Sequence, residues 1–121
     1  MTAGLLRHFY FGGKNMYTFR GNIAEKFGIN AAVVAEYLYA GERELEYMEL
    51  ADRTWYRCSL KTMTIDNPYL SVDMVKRAVG KLRDGGIIRS EKLSKSGYDH
   101  TNWYCFTEYG ENLMEGGAYN D

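Results

Sequence analysis

At 121 residues, 45% hydrophobic and 15% aromatic, the chain can bury one compact core and not two. No apolar run is long enough for a membrane span, and the stretch Leu5–Phe11 is too short and interrupted for a signal peptide, so a cytoplasmic protein is expected. The net charge of −1 is split along the chain: seven basic residues (Lys76, Arg77, Lys81, Arg83, Arg89, Lys92, Lys95) stand against Asp84 and Glu91, whereas Glu36, Glu42, Glu44, Glu46, Glu49 and Asp52 stand against Arg43 alone, which suggests one basic and one acidic face.

Residues 1–15 have no clear period and are expected to be an arm or tail, followed by a domain over 16–115 and a tail over 116–121. Gly13-Lys14 is not a phosphate loop, because His8 stands where its first glycine belongs and Asn15 where Ser or Thr is needed. Asn22–Phe27 suits a short helical turn stopped by Gly28, and Asn30 is a good N-cap for the next helix. That helix carries Ala31, Val34, Ala35 and Leu38 on one stripe and Val33, Tyr37 and Ala40 on a second. With only Glu36 charged it is apolar nearly all round, which marks a central core helix or, alternatively, one shared with a second subunit. The acidic run Glu42–Asp52 is helix-prone. Thr54–Cys58 is rich in β-formers and reads as a strand. Ser59 then caps a short helix through about Asp66, which Asn67-Pro68 stops.

Ser71 is the N-cap of an amphipathic helix through Asp84, with Val75, Ala78, Val79 and Leu82 on its buried stripe. Asp73 near its start and Lys81 and Arg83 near its end complement the helix dipole. Gly85-Gly86 ends it. Strands are expected over Ile87–Leu93 and Asn102–Thr107, joined by the polar tip Ser94–His100, with Trp103 and Cys105 on one side of the return strand and Tyr104 and Phe106 on the other. Trp55, Trp103 and Tyr104 read as the aromatic core that anchors this hairpin. Glu108–Glu115 allows one or two helical turns. Cys58 and Cys105 make neither a disulfide framework nor a zinc site, and are expected as reduced, buried thiols on strands that pair, near each other.

Helix, tight turn, helix and basic hairpin is the order of a winged helix-turn-helix: an α+β fold with a three-helix core and a small antiparallel sheet or wing. The stretch from Trp55 to Thr107 resembles the winged-helix domain at the N-terminus of phage and mobile-element replication initiators and replisome organisers. The resemblance rests on Trp55-Tyr56, Ser59–Asp66, Asn67-Pro68, Ser71–Ala78, Leu82–Ile88 and Asp99-His100-Thr101-Asn102-Trp103-Tyr104. It extends more weakly back to Asn30. Members of the group usually have arginine where His100 stands, and usually continue into a second region that recruits helicase machinery.

The resemblance implies double-stranded DNA as the partner, with the second helix of the motif in the major groove and the wing on the backbone or minor groove. Ser71, Asp73, Lys76 and Arg77 are then expected at the groove. Arg77 suits a bidentate guanine contact, Lys76 a phosphate, Ser71 a phosphate through its amide, and Asp73 a cytosine amine. Lys81 reaches only backbone, and Lys92, Lys95, Tyr98 and His100 are the wing candidates. The replication setting is one expectation and transcription regulation the other.

Two alternatives stand beside this reading. The acidic face 42–52 suits a protein-interaction module, an adaptor or an inhibitor of a host nucleic-acid-binding system. A small dimeric repressor would use the apolar helix 31–40 and the aromatic lead as its homodimer interface. Catalysis, metals and cofactors are not expected: His8 and His100 are the only histidines, and neither has a metal-ligand or triad context.

Overall fold

A computed structural model of the chain describes residues 17–41 and 45–116. The 1–15 arm, Glu42 and Glu44, and the tail beyond Gly116 lie outside the described residues. The elements run α1 (Gly21–Phe27), α2 (Ile29–Tyr39), β1 (Glu46–Leu50), β2 (Arg53–Arg57), α3 (Leu60–Asp66), α4 (Val72–Asp84), β3 (Ile88–Glu91), β4 (Trp103–Phe106) and α5 (Glu108–Gly116). The described residues thus make a mixed α+β fold of five helices and one antiparallel sheet of four strands, in the order β1-β2-β4-β3. Among them no helix is long and apolar enough to cross a membrane.

Gly28 joins α1 to α2 with φ 94°, a conformation that L side chains rarely adopt. It ends α1 by donating its N–H to the Ala24 carbonyl at 2.8 Å, and its own carbonyl receives the Ala32 N–H at 3.0 Å. Gly28 is therefore the N-cap of α2, and Asn30, expected in that role, lies inside the first turn. Every residue of α2 from Ala31 to Leu38 is buried. A helix apolar all round has found cover on all sides within one chain, so its apolar faces are not available to a second subunit. Glu36 is buried with them and sits 3.6 Å from Arg20 Nε, so it forms no part of an acidic surface.

The acidic run does not form a helix. Residues 46–50 are strand β1, which pairs with β2 in the register Glu46↔Arg57 to Leu50↔Arg53. The hairpin turns on Ala51 and Asp52, both with positive φ (54° and 62°), as a two-residue turn that matches strand twist requires. Cross-strand partners override the helix propensity of Glu, Leu and Met. Thr54 Oγ1 donates to Glu49 at 3.0 and 2.9 Å, Arg57 meets Glu46 at 3.7 Å, and Met48 packs against Trp55 and Trp103.

The sheet separates two apolar clusters. On the helix side, Tyr104 and Phe106 join Val34, Leu38, Met63, Leu70, Val75, Leu82 and Ile88 in the main core. On the other side, Trp55, Trp103 and Cys105 form a smaller cluster. The sides of β4 are therefore those expected from alternation, but Trp55 and Trp103 back the sheet and only Tyr104 faces the helices. The two thiols are not neighbours. Cys58 donates its backbone N–H to the Asn102 carbonyl at 3.2 Å and belongs to the main core, whereas Cys105 lies in the smaller cluster.

Candidate nucleic-acid interface

Three local devices set the pose of α4. Ser71 is its N-cap, its hydroxyl accepting the Met74 N–H at 3.2 Å. Ahead of it, Asn67 is fully buried and closes the turn after α3: its backbone N–H and side-chain amide both donate to the Met63 carbonyl, at 2.9 and 2.8 Å, and its carbonyl accepts the Leu70 N–H at 2.9 Å. Sequence reasoning took Asn67 only as the residue before a proline. Its side-chain amide N–H adds a second bond to the Met63 carbonyl as the chain leaves α3, while its Oδ1 is buried without a hydrogen-bond partner among the described residues. At the far end Gly85, Gly86 and Ile87 donate to the carbonyls of Lys81, Arg83 and Leu82. Within α4, Val75 and Leu82 are fully buried beside Ala78 and Val79, each of the larger side chains contributing about 1.5–3 kcal/mol on burial.

Apart from Met74, which packs partly against the core, the rest of α4 faces out. Asp73, Arg77, Gly80 and Asp84 share one ridge opposite the buried stripe. Lys76 and Arg83 fall on one flank and Lys81 on the other, by the 3.6-residue turn. Ser71, Asp73, Lys76, Arg77 and Lys81 are all exposed. The Arg83 flank faces the sheet, where its charge acts on the Tyr104 phenol. The Lys81 flank faces α1, where its ammonium lies beside Gly28.

The second group of candidates lies on the β3–β4 loop, residues 92–102. Its tip is built on short side-chain turns: Ser94 and Ser96 hydroxyls accept the N–H groups of Ser96 and Tyr98 at 3.3 and 3.1 Å. Asp99 is the anchor. It accepts the Thr101 N–H at 2.9 Å and receives Arg57 Nε and Nη2 at 3.2 and 3.0 Å. Hydrogen bonds from Thr101, then the Arg57 guanidinium, hold its carboxyl down at about 2. Arg57 was not among the sequence candidates, and a contact across 42 residues leaves no local pattern to find it by.

Lys92 is exposed, but its ammonium donates to the His100 carbonyl at 3.3 Å and to Asn102 Oδ1 at 3.0 Å. It holds the two arms of the loop together while keeping its charge. Lys95 and His100 are exposed and Tyr98 is 97% exposed. Tyr98 and His100 border a cleft of about 400 Å³ above Ser59 and Leu60.

Charge pairing divides the cations. Among the described residues, Arg20, Arg53, Arg57, Arg83 and Arg89 each lie within 4.0 Å of a carboxylate. Lys76, Arg77, Lys81 and Lys95 have no such partner among those residues. Lys26 on α1 and Lys61 on α3 are likewise exposed without such a partner, so the unpaired positive charge includes a line along α4 and the loop tip but is not confined to it. Arg89 lies over the Trp55 ring at 5.4 Å and backs the smaller cluster. Among the described residues no group of three His, Cys, Asp or Glu side chains is placed to hold a metal ion. No protein-family profile, curated protein or solved structure matches this chain.

Proposed function

We propose that this chain is a winged helix-turn-helix domain that binds double-stranded DNA without catalysis, α3 and α4 forming the helix pair and β3, β4 and their loop the wing. The observation that carries the reading is the unpaired positive charge of Lys76, Arg77, Lys81 and Lys95 on the outward side of α4 and the loop tip. Exposed cations without an ion-pair partner add little to the fold and meet their complement in a phosphate backbone. Arg77, on the outermost ridge, reaches base edges. Lys76 and Lys81 on the flanks meet phosphate, and Ser71, its hydroxyl already bonded, offers only backbone groups. Asp73 favours the helix dipole at the N-terminal turn and discriminates against phosphate there.

A mobile-element replication or regulatory setting agrees with the likeness to replication initiators around Ser71–Ala78 and Asp99–Tyr104. The protein-interaction alternative is weaker, because Glu46 and Glu49 are engaged with Arg57 and Thr54 across the hairpin. The test is duplex binding by the wild type and by Arg77→Ala. The substitution is expected to weaken binding to a selected site by about 1–3 kcal/mol and to relax preference at one position. Wild-type binding left unchanged by Arg77→Ala would remove α4 from the groove.

A further inference from the structure

We infer that Lys26 and Lys81 form a second phosphate site on the α1 side of α4, which holds the DNA strand across the groove from the wing. The inference rests on the DNA-binding reading above. Where α1 and α4 end side by side they leave a cleft of about 520 Å³, bordered by Lys26, Phe27, Gly28, Lys81, Asp84 and Gly85. Phe27 and Gly85 bring the two helices together: a Cβ on Gly85 would run into the Phe27 ring. Two lysines from different elements thus share one concavity, and both are exposed.

Beyond a modest complement to the helix dipoles in the last turns of α1 and α4, neither lysine has a bonding role in the fold. The terminal carbonyls they might otherwise cap are already bonded, Ala24 by the Gly28 N–H at 2.8 Å and Lys81 and Arg83 by Gly85 and Gly86 at 2.9 and 3.0 Å. Neither has an ion-pair partner among the described residues. Asp84 borders the same cleft, but Arg83 Nε holds its carboxylate at 3.6 Å, so the charge left over is positive. A helix lying in a major groove about 12 Å wide has a phosphate strand on each side. The wing and Lys76 serve the wall on the sheet side. Lys81 and Lys26 are exposed on the opposite flank of α4, where the other wall must pass.

The experiment is a salt titration of the full chain with a labelled random duplex, for the wild type, Lys26→Ala and Lys81→Ala. Each variant is expected to bind roughly fivefold to tenfold more weakly near 0.1 M salt, and to lower the slope of log K against log salt by about 0.9, equally for unrelated sequences. Circular dichroism and melting should be unchanged, since both side chains are exposed. Lys26→Ala binding with the wild-type affinity and slope would overturn the second site while leaving DNA binding in place. A loss confined to one sequence would also overturn it, because a phosphate contact carries no sequence information. A wild type that ignores DNA at low salt would overturn both readings together.

Discussion

Tyr37→Phe isolates a buried polar tie between the central helix α2 and α3. Tyr37 is 1% exposed, and its hydroxyl donates to Asp66 at the end of α3 and lies 3.7 Å from Cys58 Sγ, just beyond β2. Phenylalanine keeps the ring and its packing, so the change removes the hydroxyl and no methylene. What is lost is a hydrogen bond to a carboxylate, about 1.5–3 kcal/mol. Asp66 is half-buried and regains some water, which places the expected loss in the lower half, about 1.5–2 kcal/mol. At this chain length each kcal/mol moves the thermal midpoint by about 4 °C, so the midpoint should fall by about 6–8 °C. Urea unfolding followed by far-UV circular dichroism measures the free energy directly, with m unchanged. Tyr39→Phe is the internal control: its ring is half-buried but its hydroxyl donates to Glu115 at 3.1 Å at the surface, and the change should cost less, about 0.5–1 kcal/mol. Equal effects of the two substitutions would refute the claim that the Tyr37–Asp66 bond ties α2 to α3.

Other outcomes follow from the same geometry. Ala51→Gly should stabilise by about 1 kcal/mol in urea unfolding, since a left-handed alanine costs about that much at the β1–β2 turn and glycine does not; destabilisation would mean that the turn is of another type. The Asp99 carboxyl, held at about 2 by Thr101 and Arg57, stabilises the loop above the ordinary carboxylate range, and that contribution disappears as pH falls from about 4 to 2. Asp99→Asn should flatten this acid limb in a pH series of melts. Burial pushes Cys58 up to about 11 and Tyr39 up to about 12, so their neutral forms stabilise the fold below pH 9 and 10 respectively, and stability should decline between about pH 9 and 12. The same burial raises Cys105, and both thiols should react with a thiol reagent at neutral pH only as fast as the chain opens; rapid labelling of either would contradict its place in the core.

The helix α4 was legible because every local signal agreed: a serine cap, a stripe at helical spacing, and a Gly-Gly stop. The helix α3, its serine cap and the alternation of β4 were legible for the same reason. The strand β1 was not, because Glu46–Leu50 has the composition of a helix and becomes a strand only through partners on β2 such as Arg57 and Thr54. Helix α2 gave no direction, since a segment buried on every side has no face to read. The separation of Cys58 from Cys105 needed the register, which places Cys58 opposite Asn102 rather than opposite the other thiol. At the candidate interface the exposed ridge of α4 followed from its spacing. The tethering of Lys92 to His100 and Asn102, and of the loop to Arg57, depends on contacts between segments far apart in sequence. Lys26 carries no signal in the sequence, because only the folded chain brings it beside Lys81.

The most direct test of DNA binding is fluorescence anisotropy of a labelled random duplex titrated with the full chain over a range of salt concentrations. Phosphate contacts by Lys76, Lys81, Lys95 and Lys26 predict binding at low salt and a log–log slope of roughly −3 to −4. A flat response, or no binding at the lowest salt, would contradict the account and direct attention to a protein partner.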